Sequence, residues 1–253
     1  MILLKIRMNL VVPYSNLTTV VLKAISEQNL EINDGDILAL ASKAVATAEN
    51  RIRELVSVKP TKKAEKIGAR FGLDPRFAEL VLLEADHVIW GVPKALLTQK
   101  NNILIPNAGV DQKNAPKGCV VLWPSNPDMV AEKIRNEICK RTGKRIGVLI
   151  VDSHVTPLRM GTTGITIGLA GFEPIRDYRT KKDLYSRSIL MTTHAIADDL
   201  AGAAHLVMGE SSEQTPAVLI RNAPVTLAKA DGSALVIPRQ QCLFASHFEP
   251  ESI

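Results

Sequence analysis

The sequence predicts an α+β fold, and three observations carry that reading. Strand-like and helix-like segments both occur, but they do not alternate strictly, as a doubly wound parallel sheet would require. Three apolar runs read as strands that finish in polar or acidic residues, at Ser42-Lys43, Asp111 and Asp152-Ser153. Between them lie helices with recognisable punctuation at both ends. At 253 residues the chain has room for one large domain or two modest ones.

The elements follow in order. The opening "MILLKIRMNLVVPYSN" has Lys5 and Arg7 inside its apolar stretch and no small-residue cleavage site, so it reads as a first strand and not as a signal peptide. The turn residues "NDGD" launch "ILALAS", a strand that ends at Lys43. From Thr61 a helix sets Ala64, Ile67 and Phe71 on one face and stops at Gly72. Asp74 and Pro75, as N-cap and first helical residue, start the next helix, with Phe77, Leu80, Val81 and Glu84 at helical spacing. "NILIPNAGVD" is a second apolar strand, running into Asp111. "NPD" opens a helix that closes at Gly143, and "GVLIVDSH" follows as the third strand. After a glycine-punctuated stretch, 159–174, a helix around 195–207 sets Ile196, Leu200, Ala203 and Val207 on one face. A loop then leads to a strand over 217–221, and the tail after Asp231 is short and mixed.

Composition excludes several classes. Hydrophobic residues make up 46% and charged residues 23%, as in a soluble globular protein, and no apolar run reaches the ~18 residues of a membrane span. Net charge is +5, but aromatic content of 4% leaves little for base stacking, so nucleic acid is not an expected partner. One basic cluster, "RDYRTKKDLYSR" at 176–187, is either a solvated loop or a cradle for a phosphate-bearing molecule. Cys119, Cys139 and Cys242 are odd in number and far apart, which fits a reducing cytoplasm and neither a disulfide framework nor a zinc knuckle.

The chain has no GxxxxGK[ST] loop, no GxGxxG after a strand, no HExxH and no GxSxG. His87, His154, His194, His205 and His247 never pair at metal spacing, and only His154, beside Asp152, is a candidate for lining a site. Oxygen chemistry remains. Asp111, Asp152 and Glu210, with the Ser153 hydroxyl, are the hard ligands that magnesium or manganese prefers. If the strand ends converge, such carboxylates repel one another unless a cation neutralises them. Each also has an ordinary alternative: Asp111 as a turn residue, Asp152 as a cap, Glu210 as a helix terminator.

Longer motifs go further. "DGDILALASK", "AENRIREL", "DPRFAELVLLEA", "NAGVDQKN", "TGKRIGVLIVDSH", "LRMGTTGITIGLAG", "KKDLYSR", "AIADDLAGAAHLVMGE" and "TPAVLIRN" occur in that order along nearly the whole chain. Together they resemble the coenzyme F-420 gamma-glutamyl ligase family, which adds glutamate to a deazaflavin coenzyme precursor using GTP. The resemblance implies one ligase unit over 1–253, built of two unlike α+β subdomains with mixed sheets and forming an intertwined homodimer. It implies catalytic and metal-binding roles for Asp111 and Asp152, sharing one Mg2+ or Mn2+ ion, and makes Ser153 and Glu210 ligands of a second. It places the nucleotide against Ser42, Lys43, Asn114, Met208, Gly209, Ser211, Ser212, Glu213, Gln214 and Thr215, with 14–17 on the same side. GTP, L-glutamate and an anionic deazaflavin precursor are then the partners, in the cytoplasm, with neither nucleic acid nor membrane.

The chain departs from the family at several points. Thr47 stands where a lysine is usual and Asn50 where a glycine is. Thr180 and Ser186 replace glycines, and Val155-Thr156 replaces a Gly-Arg pair, although Arg159 is retained. The leading expectation is a ligase forming the glutamyl amide through an acyl phosphate. The alternatives are a paralogue with another acid acceptor, and a nucleotide-binding regulator without catalysis.

Overall fold

The computed structural model describes residues 1–245; His247 lies outside them. Its main feature is a six-stranded sheet in the order β1 (Ile2–Ile6), β12 (Ala217–Arg221), β2 (Ile37–Ala41), β8 (Gly147–Val155), β9 (Thr162–Phe172) and β13 (Leu227–Asp231). β2 and β8 run parallel, in register from Ile37↔Gly147 to Ala41↔Val151, and every other pairing is antiparallel.

Both faces of the central strands are covered, so "ILALA" and "GVLIV" carry apolar residues at every position. On one face Leu38, Leu40, Val148 and Ile150 meet α1 (Leu17–Glu27) and α5 (Pro127–Thr142). On the other, Ile37, Ala39, Leu149 and Val151 meet α6 (Ile196–Met208). Alternate residues of a strand point to opposite faces, and this sorts the two sets. The buried stripe of α6 is Ile196, Ala197, Leu200, Ala201, Ala204 and Met208. It is rotated from the expected face, leaving Ala203 and Val207 only half-buried.

A second packed cluster joins α3 (Lys62–Phe71) and α4 (Pro75–Glu84) to a meander of β4 (His87–Val92), β5 (Ala95–Lys100) and β6 (Ile103–Pro106). The pair β3 (Ile52–Glu54) and β7 (Cys119–Val121) completes it. The caps are those the sequence indicates: Thr61 accepts from the Ala64 N–H, Asp74 from the Arg76 N–H and Asn126 from the Met129 N–H. Gly72 and Gly143 close their helices at φ 66° and 71°. A short ribbon, β10 (Ile175–Asp177) with β11 (Thr193–Ala195), frames an exposed basic loop, and with α2 (Ser42–Ala48) the described residues hold six α-helices. The fold is thus mixed α and β with several sheets.

Three expectations change. "NILIPNAGVD" is strand only as far as Pro106; Asn107, Ala108 and Gly109 turn at φ 53°, 52° and 74°, and Asp111 keeps a single bridge to Val121. Ser42 and Lys43 open α2 instead of ending a strand. Asp152 lies inside β8, which runs on to Val155. The segment 162–172, without a clear pattern in the sequence, is the longest strand. Its glycines admit helices: a Cβ at Gly164 would lie 2.4 Å from the Ala201 carbonyl oxygen, and one at Gly168 would lie 2.5 Å from Pro127.

Candidate active site

Asp152, near the end of β8, and Lys43, just past the end of β2, come together because the two strands are parallel neighbours with their carboxyl ends side by side, a common place for ligands. α2 starts directly from the end of β2 and sets Lys43 between the segments. Lys43 Nζ donates to Asp111 Oδ2 at 2.6 Å and to the Lys113 carbonyl at 2.6 Å. The Lys113 N–H closes the turn on Asp111 Oδ1 at 2.8 Å, while its ammonium pairs with Glu210. Glu210 also accepts from Thr162 Oγ1 at 2.8 Å and meets His205 Nε2 at 2.8 Å. One lysine-linked chain therefore runs from Asp111 to Glu210.

Asp152 is held differently. Its Oδ2 accepts from the Trp123 indole N–H, its Oδ1 from the Ser153 N–H at 2.9 Å, and the Ser42 hydroxyl bonds to the same carboxyl. Burial pushes the Asp152 pKa up, and these hydrogen bonds with the Lys43 charge offset that only in part. Burial acts the same way on Glu210, but hydrogen bonds from Lys113, Thr162 and His205 overcome it and bring its pKa down to about 2. The same ion pair holds the Lys113 pKa above its usual value. Ser153 follows Asp152 on the strand and so faces the other side of the sheet, opposite Gly164, which abuts His205 in α6.

The loop 208–215 borders Glu210. Asn114 Nδ2 donates to the Ser211 carbonyl at 2.9 Å, and Glu213 accepts from the Ser211 N–H at 2.8 Å. Gly209 has φ 74°, and a Cβ there would lie 2.3 Å from the Glu213 carboxyl carbon. Gln214 gives its carbonyl to the Met8 N–H, and Ser212 is exposed. Met208 points into the core with α6 and Thr215 is buried, so their side chains do not face the acids openly. Tyr14, at the amino end, accepts from Asn50 and stands 81% exposed.

Among the described residues, no three His, Cys, Asp or Glu side chains form a group able to hold one metal ion. The donors instead fall into subsites bridged by ammonium groups, and hard oxygens partnered by lysines fit divalent cations that would displace them. The basic loop 176–187 makes no hydrogen bond or ion pair to Asp111, Asp152 or Glu210 among the described residues; Arg179 pairs with Asp177 at 2.6 Å. Its Thr180 and Ser186 hold φ 75° and 61°, the left-handed values that suit glycine. His154 Nδ1 lies 3.1 Å from the Thr163 carbonyl and faces a cavity of about 540 Å³ lined also by Asn102, Asp198, Arg239 and Phe244. Lys113 and Trp123 carried no signal in the sequence, because their partners Glu210 and Asp152 lie far along the chain; His205 stands only five residues from Glu210, but a lone histidine beside an acid has no distinguishing spacing.

Residues 5–222 match the F420-0:Gamma-glutamyl ligase family. The chain belongs to this family. A relative named coenzyme F420:L-glutamate ligase from Methanocaldococcus jannaschii is 39% identical over 214 residues, covering 84% of this chain and 86% of that protein. Proteins of the same name from Archaeoglobus fulgidus and Methanothermobacter thermautotrophicus are 38% and 36% identical. The former covers 76% of this chain and 77% of its own, the latter 88% and 90%. Every acid of the site falls inside the matched stretch. β13 and the residues after it do not, although Arg239 and Phe244 form part of the cavity wall.

Proposed function

We propose that this chain joins the nitrogen of L-glutamate to a carboxylate of the deazaflavin precursor of coenzyme F420 as an amide, the gamma-glutamyl ligase type of reaction, with GTP and divalent ions. The observation that carries the reading is the linking of Asp111 to Glu210 through Lys43 and Lys113, with Asp152 close enough to feel the Lys43 charge, at one end of the main sheet in a chain of a ligase family.

The chemistry follows from what an amide needs. A carboxylate is unreactive toward an amine in water, so its oxygen first attacks the γ-phosphorus of GTP and GDP departs. The glutamate nitrogen then attacks the acyl carbon, loses a proton, and inorganic phosphate leaves. Asp111 with Asp152, and Ser153 with Glu210, would hold the two ions, which would supply positive charge to offset that of the phosphates. Lys43 and Lys113 turn from the acids to the phosphates, contributing positive charge where negative charge develops. Asn114, Ser42 and the loop 208–215 hold the nucleotide.

We read the protein as a cytoplasmic homodimer of two-part subunits. The exposed side chains of Leu158, Met160, Leu184 and Met191, on two loops, supply apolar surface for a second copy. No helix of the described residues is long and apolar enough to cross a membrane. A second reading, a ligase for another acid, is favoured by the cavity walls that lie beyond residue 222 and by Thr180 and Ser186.

The test is a mass-shift assay with the precursor, glutamate, GTP and Mg2+. A product heavier by one glutamyl unit, with GDP and phosphate in equal amounts, is expected, and chelation should stop it until Mg2+ or Mn2+ returns. Unchanged turnover after thorough chelation defeats the metal reading, and an unmodified precursor with GTP-dependent modification of a different acid supports the second one.

A further inference from the structure

Trp123 lies beneath the acid site and is only 2% exposed. Its indole nitrogen can only donate, and it donates to Asp152 Oδ2 while the Ser153 N–H occupies Oδ1. Both oxygens of Asp152 are thereby oriented, one by backbone and one by this ring.

The ring is itself held on several sides. Arg51 Nε donates to the Trp123 carbonyl at 2.8 Å, and Lys100 Nζ sits 5.8 Å from the ring centroid. Both cations share the Glu84 carboxylate: Arg51 Nη2 reaches its two oxygens at 2.9 and 2.7 Å, and Lys100, 8% exposed, joins Oε2. From the remaining side Gly109 presses on the indole, close enough that a Cβ there would lie 2.2 Å from Cδ1. Gly109 is two residues before Asp111, so one ring touches the turn that carries one acid and bonds the other. An indole that needed only a partner for its N–H would not require a three-residue charge cluster behind it, with Lys100 buried and Arg51 and Glu84 part-buried.

We propose that Trp123 is a positioning residue for the metal site: its N–H fixes the Asp152 carboxylate, and Arg51, Glu84 and Lys100 fix Trp123. This rests on the reading of Asp152 as a ligand of a divalent ion. Donors that orient a ligand from behind commonly change metal affinity by about 10–100-fold when removed.

Trp123→Phe keeps a ring and removes the N–H. Measured by Mn2+ paramagnetic resonance, its Mn2+ dissociation constant should rise about 10–100-fold, with kcat falling and the KM for the acceptor acid unchanged. Asp152→Asn is titrated beside it. Loss of Mn2+ binding in Asp152→Asn but wild-type affinity in Trp123→Phe overturns the positioning role alone. Wild-type affinity in both overturns the ligand reading as well. A measurement independent of how Trp123→Phe folds uses Tb3+ in place of the metal. Trp90, 51% exposed, is the chain's other tryptophan, so Trp90→Phe should still show tryptophan-sensitised Tb3+ emission that Mg2+ competes away. Absence of that emission while Tb3+ binds places the ion away from Trp123 and overturns the proposal.

Discussion

Replacing Lys43 with alanine should move metal and nucleotide affinity in opposite directions. In the structure the Lys43 ammonium lies 2.6 Å from Asp111, and the two side chains are 26% and 43% exposed. A divalent ion that takes Asp111 must displace this ammonium. Unit charges ~4 Å apart at an effective dielectric of 20 attract by about 4 kcal/mol, but exposed pairs net about 0–1 kcal/mol after solvation and side-chain entropy. With this partial exposure we take about 1 kcal/mol as the competition, so Lys43→Ala should tighten Mn2+ binding without nucleotide by several-fold, short of one decade. GTP should bind more weakly, because a charge-assisted phosphate contact is worth about 1.5–3 kcal/mol, or roughly tenfold to more than a hundredfold. Thr47 lies four residues further along the same helix face, and Thr47→Lys should reverse both signs. Calorimetric titration of Mn2+ alone, then of GTP with Mg2+ present, reads both quantities in each variant. Weaker Mn2+ binding in Lys43→Ala would show that Lys43 builds the metal site instead of competing for it. Unchanged GTP affinity in both variants would place the nucleotide elsewhere.

Asp152→Asn should abolish turnover and cost about 1–3 kcal/mol of apo stability, because its amide nitrogen must face the Trp123 or Ser153 N–H, a loss that relief of the buried charge offsets in part; near-normal turnover returns Asp152 to a purely structural role. Gly109→Ala should destabilise by about 2–5 kcal/mol, from a left-handed backbone and from overlap with the indole, and a thermal melt close to wild type would refute that packing. Glu210 has its folded pKa depressed to about 2 from 4.5, so the stability it contributes is full above the ordinary value and is lost as pH falls from there toward 2. Glu210→Gln should therefore flatten the acid limb of an apo stability curve in that window, and identical limbs would show that its hydrogen bonds do not favour the ionised form.

Local chemistry was the legible part. Thr61, Asp74 and Asn126 act as the caps their identities suggest, because a side-chain oxygen three residues or fewer from an N–H needs no other part of the fold. The acids Asp111, Asp152 and Glu210 were readable as hard ligands, while the Lys43 and Lys113 links between Asp111 and Glu210, and the approach of Lys43 to Asp152 across the parallel β2–β8 pair, are long-range features that no local pattern encodes. β9 was hidden by the glycines that let α5 and α6 approach it, since glycine lowers strand propensity wherever it is read in isolation. The stripe of α6 was misplaced because alanines on both sides of it are equally apolar, and packing against β9 decides between them.

The sheet order has a consequence for synthesis of the chain. β2 gains its antiparallel neighbour only when β12 appears, roughly 180 residues later, which at about 5–20 residues per second is a wait of roughly 10–35 s. β1 waits longer still, for among the described residues it pairs only with β12, Ile2 opposite Arg221. Until then β1 and β2 are apolar strands with open edges, the surface on which half-made chains associate. Such non-local pairing slows folding, because a long loop must close before its contacts return anything. The α3–α4 cluster, whose pieces lie within residues 55–122, can assemble first. Production in a host should therefore be most sensitive to temperature and chaperone supply during the last stage of translation, and substitutions that blunt the free edge of β1 should raise soluble yield without altering the finished enzyme.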